Sequence, residues 1–87
     1  MSLVTLIGMI SAVLTTGAFV PQALKTIRSR STEDLSLLTF LMMFSGTLLW
    51  FIYGMQINDM PLIVANAISA CLTGIILSLK IFAPAKA

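Results

Sequence analysis

Trp50 and Asn66 are the two side chains in this sequence best suited to hold a small neutral solute. An indole stacks on the C–H face of a saturated ring, and a carboxamide both donates to and accepts from hydroxyls. Each residue lies inside a long uncharged run. Trp50 comes seven residues before Ile57, and Asn66 comes six residues after Met60. At ~1.5 Å per helical residue, both sit roughly 10 Å below the same end of their helices. That is too deep for the interfacial belt where membrane Trp usually resides. An aromatic face and an amide at one level predict a pocket for a hydroxylated ring. Other chemistries are poorly supplied. His is absent and Cys71 is the lone cysteine, which removes the commonest metal ligands and any internal disulfide. No catalytic pair or triad can be assembled from the Ser, Cys and carboxylates present. No enzyme activity, metal or cofactor is expected.

The elements that position these residues follow from the charges. Of 87 residues, 59% are apolar and 9% are charged, where soluble domains carry about 25% charge. Residues 1–24, 35–58 and 60–79 contain no charge at all, and each run suffices for the roughly 20 apolar residues that cross a bilayer. A water-soluble domain would lack the polar surface to cover itself, and a disordered chain would be rich in charge. The net charge of +2 is too small and too confined for a nucleic-acid partner. The first run has no preceding basic residue and is too long for a cleaved signal. The expectation is one all-α membrane domain over residues 1–87, with transmembrane helices at about 3–24, 35–57 and 60–82. A loop at 25–34 joins the first two.

Orientation comes from the basic residues. Lys25, Arg28 and Arg30 fall in the first connection, while Lys80 and Lys86 fall at the end of the third helix and in the tail. Three crossings place all five on one face, which the positive-inside rule makes cytoplasmic, with Met1 outside. Every copy inserts the same way up, so any oligomer is expected to be parallel. Ser31-Thr32-Glu33-Asp34 offers capping groups ahead of the second helix, and Asn58 or Asp59 can cap the third. Pro61 fits a first helical turn, and Pro84 stops continuation after Phe82. Pro21 differs from these two. It lies near the inner end of the first helix, cannot donate to the Gly17 carbonyl, and predicts a hinge there.

Polar and small residues recur along one face of each helix. These are Ser11, Thr15, Ala18 and Gln22 on the first, Thr39, Met43, Gly46, Trp50 and Tyr53 on the second, and Asp59, Leu62, Asn66, Ser69 and Thr73 on the third. Spacings of three and four residues keep each set on one side. Ala70, Gly74 and Ser78 form a further stripe suited to close helix packing. No ionisable side chain lies mid-run, where proton relays and ion paths usually place one. The chain reads as a conduit for an uncharged solute. Another neutral metabolite, or a small structural or pore-forming role, are the alternatives.

Phe19-Val20-Pro21-Gln22 before the basic loop, Ser31-Thr32, Leu35-Ser36, Trp50-x-x-Tyr53-Gly54, Asp59 and Ala65-Asn66 together resemble a bacterial SemiSWEET. These are the half-size relatives of SWEET sugar facilitators in the PQ-loop group. The resemblance implies a triple-helix bundle with the third helix between the other two, paired as a parallel homodimer in the bacterial inner membrane. It implies uniport of mono- or disaccharides by alternating access, with sugar, membrane lipid and a second copy of the chain as partners. Trp50 and Asn66 would form the sugar pocket, with Thr15 and Thr16 at pocket-side positions. Pro21 and Gln22 would be the hinge motif, and Tyr53 and Asp59 parts of an outer gate. Met43, with Phe40 or Met42, would supply an apolar inner gate. Where the family often has an Arg two positions before the gate acid, this chain has Ile57. Asp59 is then left to meet the Tyr53 hydroxyl or to cap the third helix.

Overall fold

The computed structural model describes residues 2–82, and the expectation for Pro84 lies outside them. Three α-helices account for most of that span: α1 (Leu3–Ser29), α2 (Leu37–Gln56) and α3 (Met60–Phe82). All three are long and apolar enough to cross a membrane. The chain is therefore a multi-pass membrane protein.

α1 runs further than the charge pattern predicts. Its C-terminal part passes through Pro21 and carries Lys25 and Arg28 on helix, so the connection to α2 is confined to residues 30–36. The reason is physical. Pro21 removes a single hydrogen bond, the one to the Gly17 carbonyl, and the helix continues past it, with Thr26 Oγ1 donating to the Gln22 carbonyl at 3.1 Å. Arg30 then stops the helix in the left-handed region, its N–H reaching the Thr26 carbonyl. Charges mark where the chain leaves hydrocarbon, not where it leaves the helix. Ser2 caps the other end, accepting from Thr5 N at 3.1 Å.

The cap of α2 is Ser36, which accepts from Thr39 N at 3.1 Å, rather than any residue of Ser31–Asp34. Thr32 does a different job. It is buried, and its carbonyl accepts from both Leu35 N and Lys80 Nζ, at 3.1 and 2.8 Å. This connection is thereby fastened to the C-terminal end of α3. In the α2–α3 turn, Asn58 takes a positive φ of 56°, and Asp59 N donates back to the Gly54 carbonyl. Asp59 then caps α3 by accepting from Leu62 N at 3.2 Å. Pro61, in the first turn of α3, is buried, and an added Cβ on Gly8 would lie 3.4 Å from its ring.

α3 packs against both α1 and α2, which make no contact with each other among the described residues. The Cα envelope measures 52 × 23 × 14 Å. Three axes at 8–10 Å spacing in a triangle would span only about 14 Å each way, so the helices form a row with α3 in the middle. The interior is small. Ala70, Ile76 and Leu77 on α3 and Ala23 on α1 are the buried apolar side chains, while most large apolar residues face outward. That distribution suits a hydrocarbon surround, where association rests on close packing of small residues.

The α2–α3 contact shows this directly. A Cβ on Gly74 would come within 3.0 Å of the Phe44 ring, and one on Gly54 within 3.0 Å of Leu62 Cβ and 3.3 Å of Ile63 N. Gly54→Ala meets backbone, which cannot yield cheaply. Overpacking costs about 1–3 kcal/mol, more than the ~1 kcal/mol that Ala gains over Gly in a helix. We expect Gly54→Ala to lower thermal stability in detergent, while Gly17→Ala, which has open space around it, leaves it unchanged or raises it.

Candidate functional site

Because α3 stands between the other two helices, it presents only narrow strips to either side. One side carries the polar residues. Ser11, Thr15 and Thr16 of α1 face Asp59, Asn66 and Ser69 of α3 across a groove of about 470 Å³. That volume falls within the roughly 300–1,000 Å³ typical of small-molecule sites. A second groove, about 290 Å³, is lined by Phe19, Met43, Gly46, Thr47 and Trp50, with Ser69 again at its wall. Ser69 is thus the shared wall that joins the Trp50 and Asn66 grooves on one open side of the bundle.

The Trp50 ring is 54% exposed and meets Tyr53 edge-to-face, with centroids 5.6 Å apart and planes at 82°. The interaction orients the indole and leaves much of its surface free for a ligand. Asn66 is half-buried. One of its amide hydrogens goes to the Leu62 carbonyl one turn back, at 2.9 Å. Its second amide hydrogen and its carbonyl oxygen remain available to a solute. The bond is intrahelical and lies along α3, so it pins the carboxamide at the groove without tying it to a neighbouring helix.

Among the other expected site residues, Thr15 is exposed and donates to the Ser11 carbonyl at 3.0 Å. Its hydroxyl oxygen keeps acceptor capacity toward the groove. Thr16 is half-buried at the α1–α3 seam and lines the same groove. Asp59 lies at the rim of that groove, and its carboxylate is the α3 cap. Tyr53, half-exposed, belongs to the Trp50 side. Met43 and Met42 both line the Trp50 groove, whereas Phe40 is half-buried and lines neither groove. Pro21 and Gln22 are exposed on α1.

Thr73, which the spacing places on the polar face of α3, is wholly buried, and its hydroxyl donates to the Ser69 carbonyl at 2.8 Å. It lies at the wall of the Trp50 groove beside Ser69, with its hydroxyl hydrogen committed to the helix. Ser11, Ser69, Phe19 and Thr47 line the grooves without having been singled out as site residues. The three-and-four spacing does contain Ser11 and Ser69, so a signal existed for them. Phe19 and Thr47 had none, because apolar and hydroxyl residues are common throughout spanning helices.

Three comparisons bear on this geometry. Residues 3–63 match the family model described as PQ loop repeat. The sugar transporter SemiSWEET of Bradyrhizobium diazoefficiens is 46% identical over 79 residues, covering 91% of this chain and 92% of its own. That of Leptospira biflexa is 41% identical over 76 residues, covering 87% and 89%. A SemiSWEET crystal structure in the inward-open conformation superposes with a TM-score of 0.89 at 34% identity, covering 95% of this chain and 89% of the other. A bacterial homologue of SWEET transporters gives 0.78 at 44% identity, covering 93% and 98%. With the α1–α3–α2 row, the Pro21-Gln22 pair and this similarity along nearly its whole length, the chain belongs to the SemiSWEET family of PQ-loop proteins.

Proposed function

We propose that this protein is a passive uniporter of neutral mono- or disaccharides, working by alternating access as a parallel homodimer in the bacterial inner membrane. Its amino terminus lies outside and its carboxy terminus in the cytoplasm. The observation that carries the proposal is the half-site just described. One open side of a three-helix row holds an exposed indole, a partly unsatisfied carboxamide and several hydroxyls, joined through Ser69. A single row cannot surround a solute, but two copies about an axis along the membrane normal can. The pocket then has two Trp50 rings and two Asn66 amides, one of each from either protomer.

The relatives named as sugar transporters support the substrate class. The match to a chain solved open to the inside supports a cycle between two access states. Among the described residues that line the grooves, Asp59 is the ionisable one, at the rim and engaged as a cap, which supports movement without ion coupling. In this reading Tyr53 and Asp59 act near the outer opening, and Met43 with Met42 or Phe40 narrows the inner one.

The test is uptake of labelled glucose and sucrose into proteoliposomes, with and without an imposed proton or sodium gradient. Saturable uptake that stops at equal concentrations and ignores the gradient is expected. Accumulation against a gradient, or no uptake of either sugar, would refute passive sugar transport.

A further inference from the structure

We infer that α1 carries, on the side away from the polar grooves, a binding site for a phospholipid with an anionic headgroup. Behind the α1–α3 seam lies a groove of about 460 Å³ lined by Met9, Val13, Gly17, Val20, Val64 and Ile68. Its lining is apolar apart from Thr16 at the seam, in contrast to the hydroxyl-rich groove on the opposite side. From Met9 to Pro21 it runs roughly 18 Å along the helix at ~1.5 Å per residue. One leaflet of a ~30 Å hydrocarbon core is about 15 Å deep, so the groove is long enough for one acyl chain.

The groove does not end blindly. At Val20 and Pro21 it passes into a second depression of about 610 Å³ that includes Leu24, Lys25 and Arg28. Pro21, Lys25 and Arg28 are spaced four and three apart, so they share one face of α1, opposite the buried Ala23. Lys25 and Arg28 are both exposed. They lie about 6 and 10 Å past Pro21, at the level where the chain leaves hydrocarbon. An apolar trough opening onto two cations at the membrane surface is complementary to an acyl chain bearing a phosphate without a compensating amine. The occupant is therefore a lipid, held by the tail in the trough and by the headgroup at Lys25 and Arg28.

The experiment titrates purified full-length protein in detergent with phosphatidylglycerol and with phosphatidylcholine of identical chains, counting retained lipid by native mass spectrometry. Each basic side chain near a membrane surface contributes about fivefold, so a preference for phosphatidylglycerol of about thirtyfold is expected. Lys25→Gln with Arg28→Gln should bring that preference close to parity. Arg30→Gln with Lys86→Gln removes the same formal charge elsewhere and should leave it intact. Gly17→Leu, which adds bulk where nothing lies within 4 Å of a Cβ, should weaken retention of both lipids. A preference that survives the first pair, or is lost equally in the second, overturns the headgroup site. Unchanged retention in Gly17→Leu overturns the trough.

Discussion

Trp50→Ala is expected to reduce uptake of glucose and sucrose at subsaturating sugar by roughly five- to hundredfold. The figure follows from two rings, one per protomer, each contributing about 0.5–1.5 kcal/mol of stacking beyond simple burial. Asn66→Ala should have an effect of similar size, since two lost hydrogen bonds at ~0.5–1.5 kcal/mol each remove a comparable amount. What separates a binding role from a structural one is stability. Trp50 is 54% exposed and touches another ring only at Tyr53, so its truncation leaves no interior cavity. Thermal unfolding of Trp50→Ala should stay within about 0.5 kcal/mol of the parent, as for surface substitutions generally. Trp50→Phe, which keeps a smaller aromatic face, should retain an intermediate rate. Wild-type uptake in both Ala variants would remove these residues from the sugar path.

The features legible in the sequence are those set by strong, local physics. Uncharged runs identify three spanning helices, because a charge in hydrocarbon is costly wherever it falls. The bounds of α3 match the expected 60–82, since Asp59 and Pro61 define a start that few other residue types could make. α1 was harder to bound. Lys25 and Arg28 suggested a loop, yet a helix continues happily into water, and only the left-handed turn at Arg30 ends it. Likewise Ser36 was one of several hydroxyls able to cap α2, and local sequence does not rank them. Pocket membership is a tertiary property. Thr73 obeys the same spacing as Asn66 and Ser69 and also reaches the wall of the Trp50 groove, but it is wholly buried. Periodicity finds a face; only packing shows how much of that face stays open. Trp50 and Asn66 stand out in the sequence because a deep indole and a deep amide are both unusual in lipid.

Pro21→Ala is expected to slow turnover at saturating sugar by about five- to hundredfold while leaving sugar affinity nearly unchanged. Pro21 supplies no hydrogen to the Gly17 carbonyl, and Gly17 itself has nothing within 4 Å of where a Cβ would stand. Beyond the joint the helix is sound. Thr26 Oγ1 holds the Gln22 carbonyl, Arg30 N holds that of Thr26, and Ala23 is buried. If Pro21 is the proposed hinge, the turns beyond it tilt as one piece about a weak point one turn long. Alternating access requires two arrangements of comparable free energy with a low barrier between them. Alanine restores a backbone bond of about 0.5–1.5 kcal/mol in each protomer and relieves the proline's steric conflict, which stiffens α1 in one arrangement. Affinity is spared because the Trp50 and Asn66 grooves are built on α2 and α3 and on α1 residues that all precede Pro21. Pro21→Ala should accordingly melt at a higher temperature than the parent while transporting more slowly. Turnover equal to wild type, measured alongside equilibrium sugar binding on the same preparation, would show that the inner end of α1 does not need this joint.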